Sequence, residues 1–224
     1  MSAAAPAPAP PTTTAQHALE QLRRAIVAGH LAPGQRVGQE QLAERLGISI
    51  APVREALRIL EQEGQVRYRP RRGYFVTKLR IEDLEEIYEL RQVLEARAAR
   101  RALPLLDGDG LARIELAAHD FARAVQSGEV ARQLQANRRF HLELLDPGDR
   151  PHTLRLIRLL WDSTEAYRAL YYNLPEERVE ALRAHERILG ALRSASVEEL
   201  IAELDAHRER ALAVLRAILA DARP

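Results

Sequence analysis

From residue 83 to residue 220, this 224-residue chain repeats apolar side chains every three or four positions. That period lays them along one face of a helix and fits no strand. The pattern breaks at Pro104 to Gly110, Ser127-Gly128, Pro147-Gly148, Pro175 and Ser194–Ser196. The breaks divide the segment into helices near 83–103, 110–127, 129–145, 151–173, 176–193 and 197–220. Helices of that length bury their apolar faces by packing on one another, so the segment reads as a helical bundle.

Upstream the pattern changes. Ala3–Pro11 alternates alanine with proline and runs into Thr12, Thr13 and Thr14. Proline at every second position removes helical amide donors, so residues 1–14 are expected to form a disordered or extended tail. Leu19, Leu22, Ile26 and Val27 then mark a helix from Gln16 to Ala28, stopped by Gly29. A short helix, Gln39–Leu46, ends at Gly47. A third begins after Ser49, whose hydroxyl is placed to cap it, with Pro52 in its first turn and Gly64 closing it. Val66-Arg-Tyr-Arg and Gly73-Tyr-Phe-Val-Thr read as a hairpin with Pro70-Arg71-Arg72 at its tip. The expected fold is mainly α: a tail (1–14), a winged helix-turn-helix unit (15–78) and an all-helical bundle (79–224).

Charge separates the two units. Residues 15–80 hold 12 basic and six acidic side chains, a net of +6, and residues 81–224 hold 21 basic and 26 acidic, a net of −5. Such a split points to polyanion binding in the first unit and a different task in the second, with a merely solvated basic surface as the plain alternative. The acidic second half argues against a nonspecific DNA-packaging protein, which gains from basic residues throughout. The absence of cysteine excludes disulfides, thiol nucleophiles and thiolate metal sites. No apolar run approaches the roughly 18 residues of a membrane span, and Met1–Thr14 carries no charge where a signal peptide needs a basic start. A cytoplasmic protein with no membrane partner is expected.

A helix fits the major groove, where base edges are distinguishable, and arginines on a wing reach phosphate or the minor groove. Arg54 and Arg58 lie on the outer side of the third helix, opposite Val53, Leu57 and Leu60, while Arg71 and Arg72 occupy the hairpin tip. A plain helical hairpin is the competing reading. The runs Leu31-Ala-Pro-Gly-Gln, Gln41-Leu-Ala-Glu-Arg-Leu-Gly-Ile-Ser, Pro52-Val-Arg-Glu-Ala-Leu and Arg71-Arg-Gly-Tyr-Phe-Val resemble the DNA-binding domain of GntR-family bacterial transcriptional regulators. The resemblance implies a dimer placing two such units on a near-palindromic operator. It also implies Ser49 as the recognition-helix N-cap, Arg54 as its arginine, and Arg71, Arg72 and Gly73 as the wing. The chain departs from the family where an Arg-Thr pair usually follows the serine, because Ile50-Ala51 stands there. Arginine gives guanine two bonds worth about 1–3 kcal/mol of discrimination, whereas isoleucine offers apolar contact such as that to a thymine methyl. The operator preference is therefore expected to differ from that of typical relatives.

In the bundle, polar residues interrupt apolar stripes. One runs Val130, Leu134, Asn137, His141, Leu145; another Val179, Leu182, His185, Leu189, Leu192; a third Leu200, Leu204, His207, Ala211, Leu215. Steps of three and four keep each set on one face, so three histidines and an asparagine point toward a common core. A single inward histidine is ordinarily a hydrogen-bonded core residue, but three together must share a network or hold a ligand. Neutral imidazole is a common ligand of divalent metals, and Asn137 can add an oxygen. His17, His30, His119 and His152 fall at turns, helix ends or off-stripe positions and read as surface.

Asn137-Arg-Arg-Phe-His141, Ala184-His185-Glu-Arg-Ile-Leu and Asp205-Ala-His207 resemble the metal-binding motifs of the FCD ligand-binding domain. This is a helical bundle fused to many GntR-type domains in the FadR subfamily. The resemblance implies Asn137, His141, His185 and His207 as ligands of a zinc-, nickel- or manganese-class ion. Asn137 stands where the subfamily commonly has Asp, which removes a negative charge and weakens divalent affinity.

Arg91 falls on the stripe Leu84, Ile87, Arg91, Leu94, Ala98 and needs an anionic partner. An internal glutamate is one reading. The other, which the FCD resemblance favours, is the carboxylate of a small organic-acid effector, with Ser163 and Tyr167 adding hydrogen bonds. The function expected is a DNA-binding regulator, acting as a repressor and controlled by such an effector in a metal-containing, homodimeric bundle. The alternative is a helical metal-dependent hydrolase or lyase using the three histidines. No P-loop, nucleophile elbow or His-Glu-x-x-His sequence accompanies it, and Glu186 points about 100° away from its neighbour His185.

Overall fold

A computed structural model describes residues 13–78, 80–146 and 151–221. Most of the expected tail and the Pro147-Gly148 break lie outside these residues. At its end the tail expectation fails, because helix α1 (Thr14–Val27) already begins at Thr14. The Thr13 hydroxyl accepts from the Gln16 amide at 3.2 Å, and the Gln16 side chain accepts from the Thr13 amide at 2.9 Å. This reciprocal cap satisfies two amides that a helix start leaves free.

Helices α2 (Gln39–Leu46) and α3 (Ile50–Gln62) form the helix-turn-helix. Between them Gly47 takes φ 64°, a left-handed conformation suited to glycine, and turns the chain. Ser49 sits at the position preceding α3, but its hydroxyl makes no capping bond, contrary to expectation. Pro52 explains this: it holds the third helical position, one of the two whose amides such a cap serves, and has no N–H. Strands β1 (Val66–Arg69) and β2 (Gly73–Val76) pair antiparallel, Val66 opposite Val76 and Arg69 opposite Gly73, and leave residues 70–72 as the tip. Leu22, Val53, Leu57, Leu60 and Val66 are fully buried where α1, α3 and the hairpin meet.

The bundle consists of α4 (Ile81–Ala102), a 3-10 turn (Leu103–Leu105), α5 (Gly108–Ser127), α6 (Val130–Leu145), α7 (Pro151–Ser163), α8 (Glu165–Tyr172), α9 (Pro175–Arg193) and α10 (Val197–Asp221). Helix α4 lies between α7 and α10, α5 packs on α6 and α9, and α9 on α10.

The single helix expected over 151–173 is two. Thr164 is fully buried, and its hydroxyl turns back to the carbonyls of Leu160 and Trp161, each at 3.2 Å. A β-branched hydroxyl that bonds the preceding turn competes with the helical ladder, and the chain bends there.

The bend is also where the two units meet. Ala166 of α8 packs on the winged unit's core, Val27 of α1 packs into the bundle, and Gln65 donates to Glu165 at 3.3 Å. Arg23 and Glu63 form an ion pair on the winged side of this junction.

Candidate functional site

Helices α6, α9 and α10 bring His141, His185 and His207 together, with one ring nitrogen of each within 4.8 Å of the others. Apolar spacing of three and four residues turned each ring inward, so the convergence follows from local pattern plus helix packing. His141 and His185 are buried and His207 is partly exposed. Phe140 stacks on the His185 ring at 4.1 Å between centroids, and Phe121 lies 4.6 Å from it. His185 Nε2 lies 3.0 Å from Asn137 Oδ1. An amide oxygen only accepts, so this contact makes Nε2 the protonated nitrogen and leaves Nδ1 with its lone pair. Asn137 is thus in direct contact with the histidine group, as the sequence led one to expect.

Both ring nitrogens of His141 and Nδ1 of His185 have no hydrogen-bond partner though buried. Burial, reinforced by the neighbouring histidines, pushes the pKa of His141 and of His185 well below the ordinary value. His207 is pushed down to about 4 by burial and by the positive charges of Arg91 and Arg208. Neutral, unpartnered imidazoles are the form that ligates a divalent metal, so this donor set fits one.

Beside the histidines lies a group of charges. Arg91 donates to Glu95 at 2.8 Å, Arg208 approaches the other Glu95 oxygen at 3.3 Å, and Trp161 donates to Glu95 at 2.8 Å. Burial opposes ionisation of Glu95, but Arg91 and Arg208 outweigh it and hold the carboxyl below its usual range. Arg91 therefore has the internal glutamate as its partner. Arg168 is different. Its guanidinium is buried, lies 4.4 Å over the Trp161 ring and bonds the Trp161 carbonyl at 2.9 Å, while Nε and Nη1 have no hydrogen-bond partner among the described residues. The Tyr88 hydroxyl and Arg208 Nε are likewise unpartnered. These side chains, with Asn137, His141 and His207, surround a cavity of about 30 Å³. That volume is on the scale of one or two water molecules. Three guanidinium groups line it against the single carboxylate Glu95, so its charge calls for an anion.

Ser163 and Tyr167 are not among the cavity's lining residues. The bend at Thr164 lies between them and changes the phase of the helix face they would share as one helix over 151–173. Ser163 donates to the Leu160 carbonyl at 3.0 Å and lies against Gly64 of the winged unit. Tyr167 is buried in an apolar cluster with Phe121 and Leu215. Val179, read as inward, is exposed on α9. Arg168, Trp161 and Tyr88 escaped the sequence reading. An arginine between Tyr167 and Ala169 hints at burial, but its aim depends on the bend. His17, His30, His119 and His152 are exposed.

On the winged unit Arg54, Arg58, Arg71 and Arg72 are exposed, and Ile50, Ala51, Arg54 and Arg58 line one groove along α3. Arg54 bonds Gln39 of α2 at 3.2 Å. At the tip Arg71 takes φ 61° and Gly73 φ 87°. Arg36, Arg67 and Arg69 are exposed on and beside the same hairpin and extend the basic surface beyond the residues singled out from sequence.

An exposed basic helix-turn-helix with a wing, joined to a helical bundle with a polar interior, defines a two-unit DNA-binding regulator. Residues 14–76 match the gntR family of bacterial regulatory proteins, and residues 86–210 match the FCD domain. The chain belongs to the gntR family, in its FCD-bearing branch, and is a transcriptional regulator. It is 30% identical over 188 residues to the uncharacterized HTH-type transcriptional regulator YdhC of Bacillus subtilis, 84% of each chain. It is 31% identical over 208 residues to the uncharacterized HTH-type transcriptional regulator BphR of Paraburkholderia xenovorans, 88% of this chain and 83% of that one. The solved structure of E. coli McbR/YncC superposes with a TM-score of 0.79 at 26% identity, covering 92% of this chain and 99% of that one. These relatives are regulators, and the hydrolase or lyase alternative falls. Among the described residues no helix is long and apolar enough to cross a membrane.

Proposed function

We infer that the protein is an operator-binding repressor, working as a homodimer, whose DNA affinity is set by a small carboxylate in the bundle cavity. The observation that carries this reading is Arg168: a buried guanidinium with two unpartnered nitrogens, in a cavity where arginines outnumber carboxylates. A buried cation whose guanidinium nitrogens lack hydrogen-bond partners is costly, and a bidentate carboxylate is the group that fits it best. His141, His185 and His207 would hold the divalent ion, with Asn137 orienting His185. Bound there, the ion would add positive charge and open coordination positions to the same cavity. Ser49, Arg54, Arg58, Arg71, Arg72 and Gly73 would form the DNA face, which leaves the half-buried Ile50 and the exposed Ala51 to read apolar base edges.

Coupling follows from where Arg168 sits. It lies on α8, three residues after Glu165, which bonds Gln65 of the winged unit. Trp161 and Arg168 face the cavity, while Ser163, Glu165 and Ala166 face the winged unit across the same bend. The cavity holds little more than an ion and a water, so a carboxylate must displace α8 or its neighbours to enter. A ligand that binds one arrangement of the bend better than another shifts the placement of the winged unit by that difference in affinity.

The test uses the full chain, a DNA duplex selected from a random library, and a panel of mono-, di- and tricarboxylic acids with and without chelator. At least one acid should raise the melting temperature and change DNA affinity; at 100 times its Kd, binding adds about 2.7 kcal/mol of stability. Arg168→Leu should abolish both responses, and His141→Ala, His185→Ala or His207→Ala should lose zinc, nickel or manganese measured after dialysis. A protein that stays metal-free and indifferent to every acid overturns the reading.

A further inference from the structure

The cavity beside the histidines has a neighbour. Between α4 and α10 lies a groove of about 70 Å³ whose outer residues Glu89, Gln92 and Glu209 are exposed. Tyr88 and Arg208 line both spaces, so these two side chains form the wall between them. They are 3% and 6% exposed, yet the Tyr88 hydroxyl and Arg208 Nε have no hydrogen-bond partner among the described residues. Leaving such groups buried and unpaired is costly, which points to a ligand that reaches the wall.

Charge changes sign across that wall. Inside, three guanidinium groups face the single carboxylate of Glu95. Outside, the carboxylates of Glu89, Asp205 and Glu209 face the single guanidinium of Arg208. Asp205 is already engaged: it accepts from Gln92 at 3.0 Å and from Arg208 at 2.7 Å, which ties α10 to α4. Glu89 on α4 and Glu209 on α10 form no ion pair among the described residues, so each helix offers the groove a free carboxylate.

The complementary ligand carries a carboxylate for the inner space and a cation for the outer one. A primary ammonium has three N–H donors, and Glu89, Glu209 and the Tyr88 hydroxyl oxygen supply three acceptors. The same hydroxyl can donate inward to the ligand's carboxylate, beside Arg208 Nε and the two unpartnered nitrogens of Arg168. A second carboxylate in place of the amine would meet like charges in the groove. We propose that the effector is an amino acid, its carboxylate in the cavity and its ammonium in the α4–α10 groove between Glu89 and Glu209.

The assignment rests on the reading of the cavity as a carboxylate site, and the experiment separates the two. Binding to the full chain is measured by titration calorimetry for the common amino acids, β-alanine and γ-aminobutyrate, each paired with the acid that lacks its amine. At least one amino acid should bind about five-fold or more tightly than its amine-free partner, the gain expected from two exposed ion pairs. Glu89→Gln/Glu209→Gln should erase that preference without weakening the plain acid or changing the circular dichroism spectrum, because neither carboxylate lines the inner cavity. Arg168→Leu should remove the binding of both members of the pair. If plain acids bind as tightly as their amino counterparts, or the preference survives the double variant, the groove assignment is wrong and the carboxylate site stands. A chain that binds neither kind of acid overturns both.

Discussion

The two units of this protein put their chemistry on opposite sides of their cores. The winged unit encloses a wholly apolar cluster, from Ala18 to Val76, and leaves its arginines outside. The bundle does the reverse. Arg91, Glu95, Asn137, His141, Arg168 and His185 are all buried within it. Binding a polyanion as large as a duplex needs an exposed surface with mobile cations, whereas recognising a small anion needs a dry pocket where each charge counts for more. Folding and recognition are therefore separable in the first unit and intertwined in the second.

Breaking the buried charge group should give the largest effect. Glu95→Ala leaves Arg91 and Arg208 without their carboxylate and should cost about 3–5 kcal/mol in urea unfolding, far more than removing any exposed pair. A loss below 1 kcal/mol would mean that water already solvates the group. In the winged unit, Arg54→Ala should weaken operator binding by about 1–3 kcal/mol by fluorescence anisotropy while stability stays within about 0.5 kcal/mol. A fall in stability of the same size would erase the contrast between the units. Arg168 should respond far more weakly than Glu95. Its replacement by leucine removes a buried, poorly partnered charge, so unfolding free energy should stay within about 1 kcal/mol of the wild type or rise. Glu95 and Arg168 lie in one cavity, and their opposite responses would separate a charge that holds the bundle together from one held in readiness for a ligand.

Local pattern carried much of this. Periods of three and four residues marked the helices, and turn residues such as Gly47 and Gly128 marked their ends, because amphipathic spacing and backbone freedom are local properties. The same spacing turned His141, His185 and His207 inward, and the Arg-rich hairpin announced itself by composition. The failures came where one residue's tertiary setting overrode its neighbours. Thr13 and Gln16 extended α1 into the expected tail, Pro52 removed the amide that Ser49 would have capped, and Thr164 bent what looked like one helix.

The order of side chains by itself determined a winged unit, a helical bundle and the inward histidines. Only the packed structure decided that Arg91 takes Glu95, that Ser163 turns to the winged unit, and that Arg168 keeps two guanidinium nitrogens unpartnered in the cavity. Periodicity fixes which face of a helix is buried. Which charges meet across that face depends on how helices distant in sequence cross, and on a bend set by one buried hydroxyl.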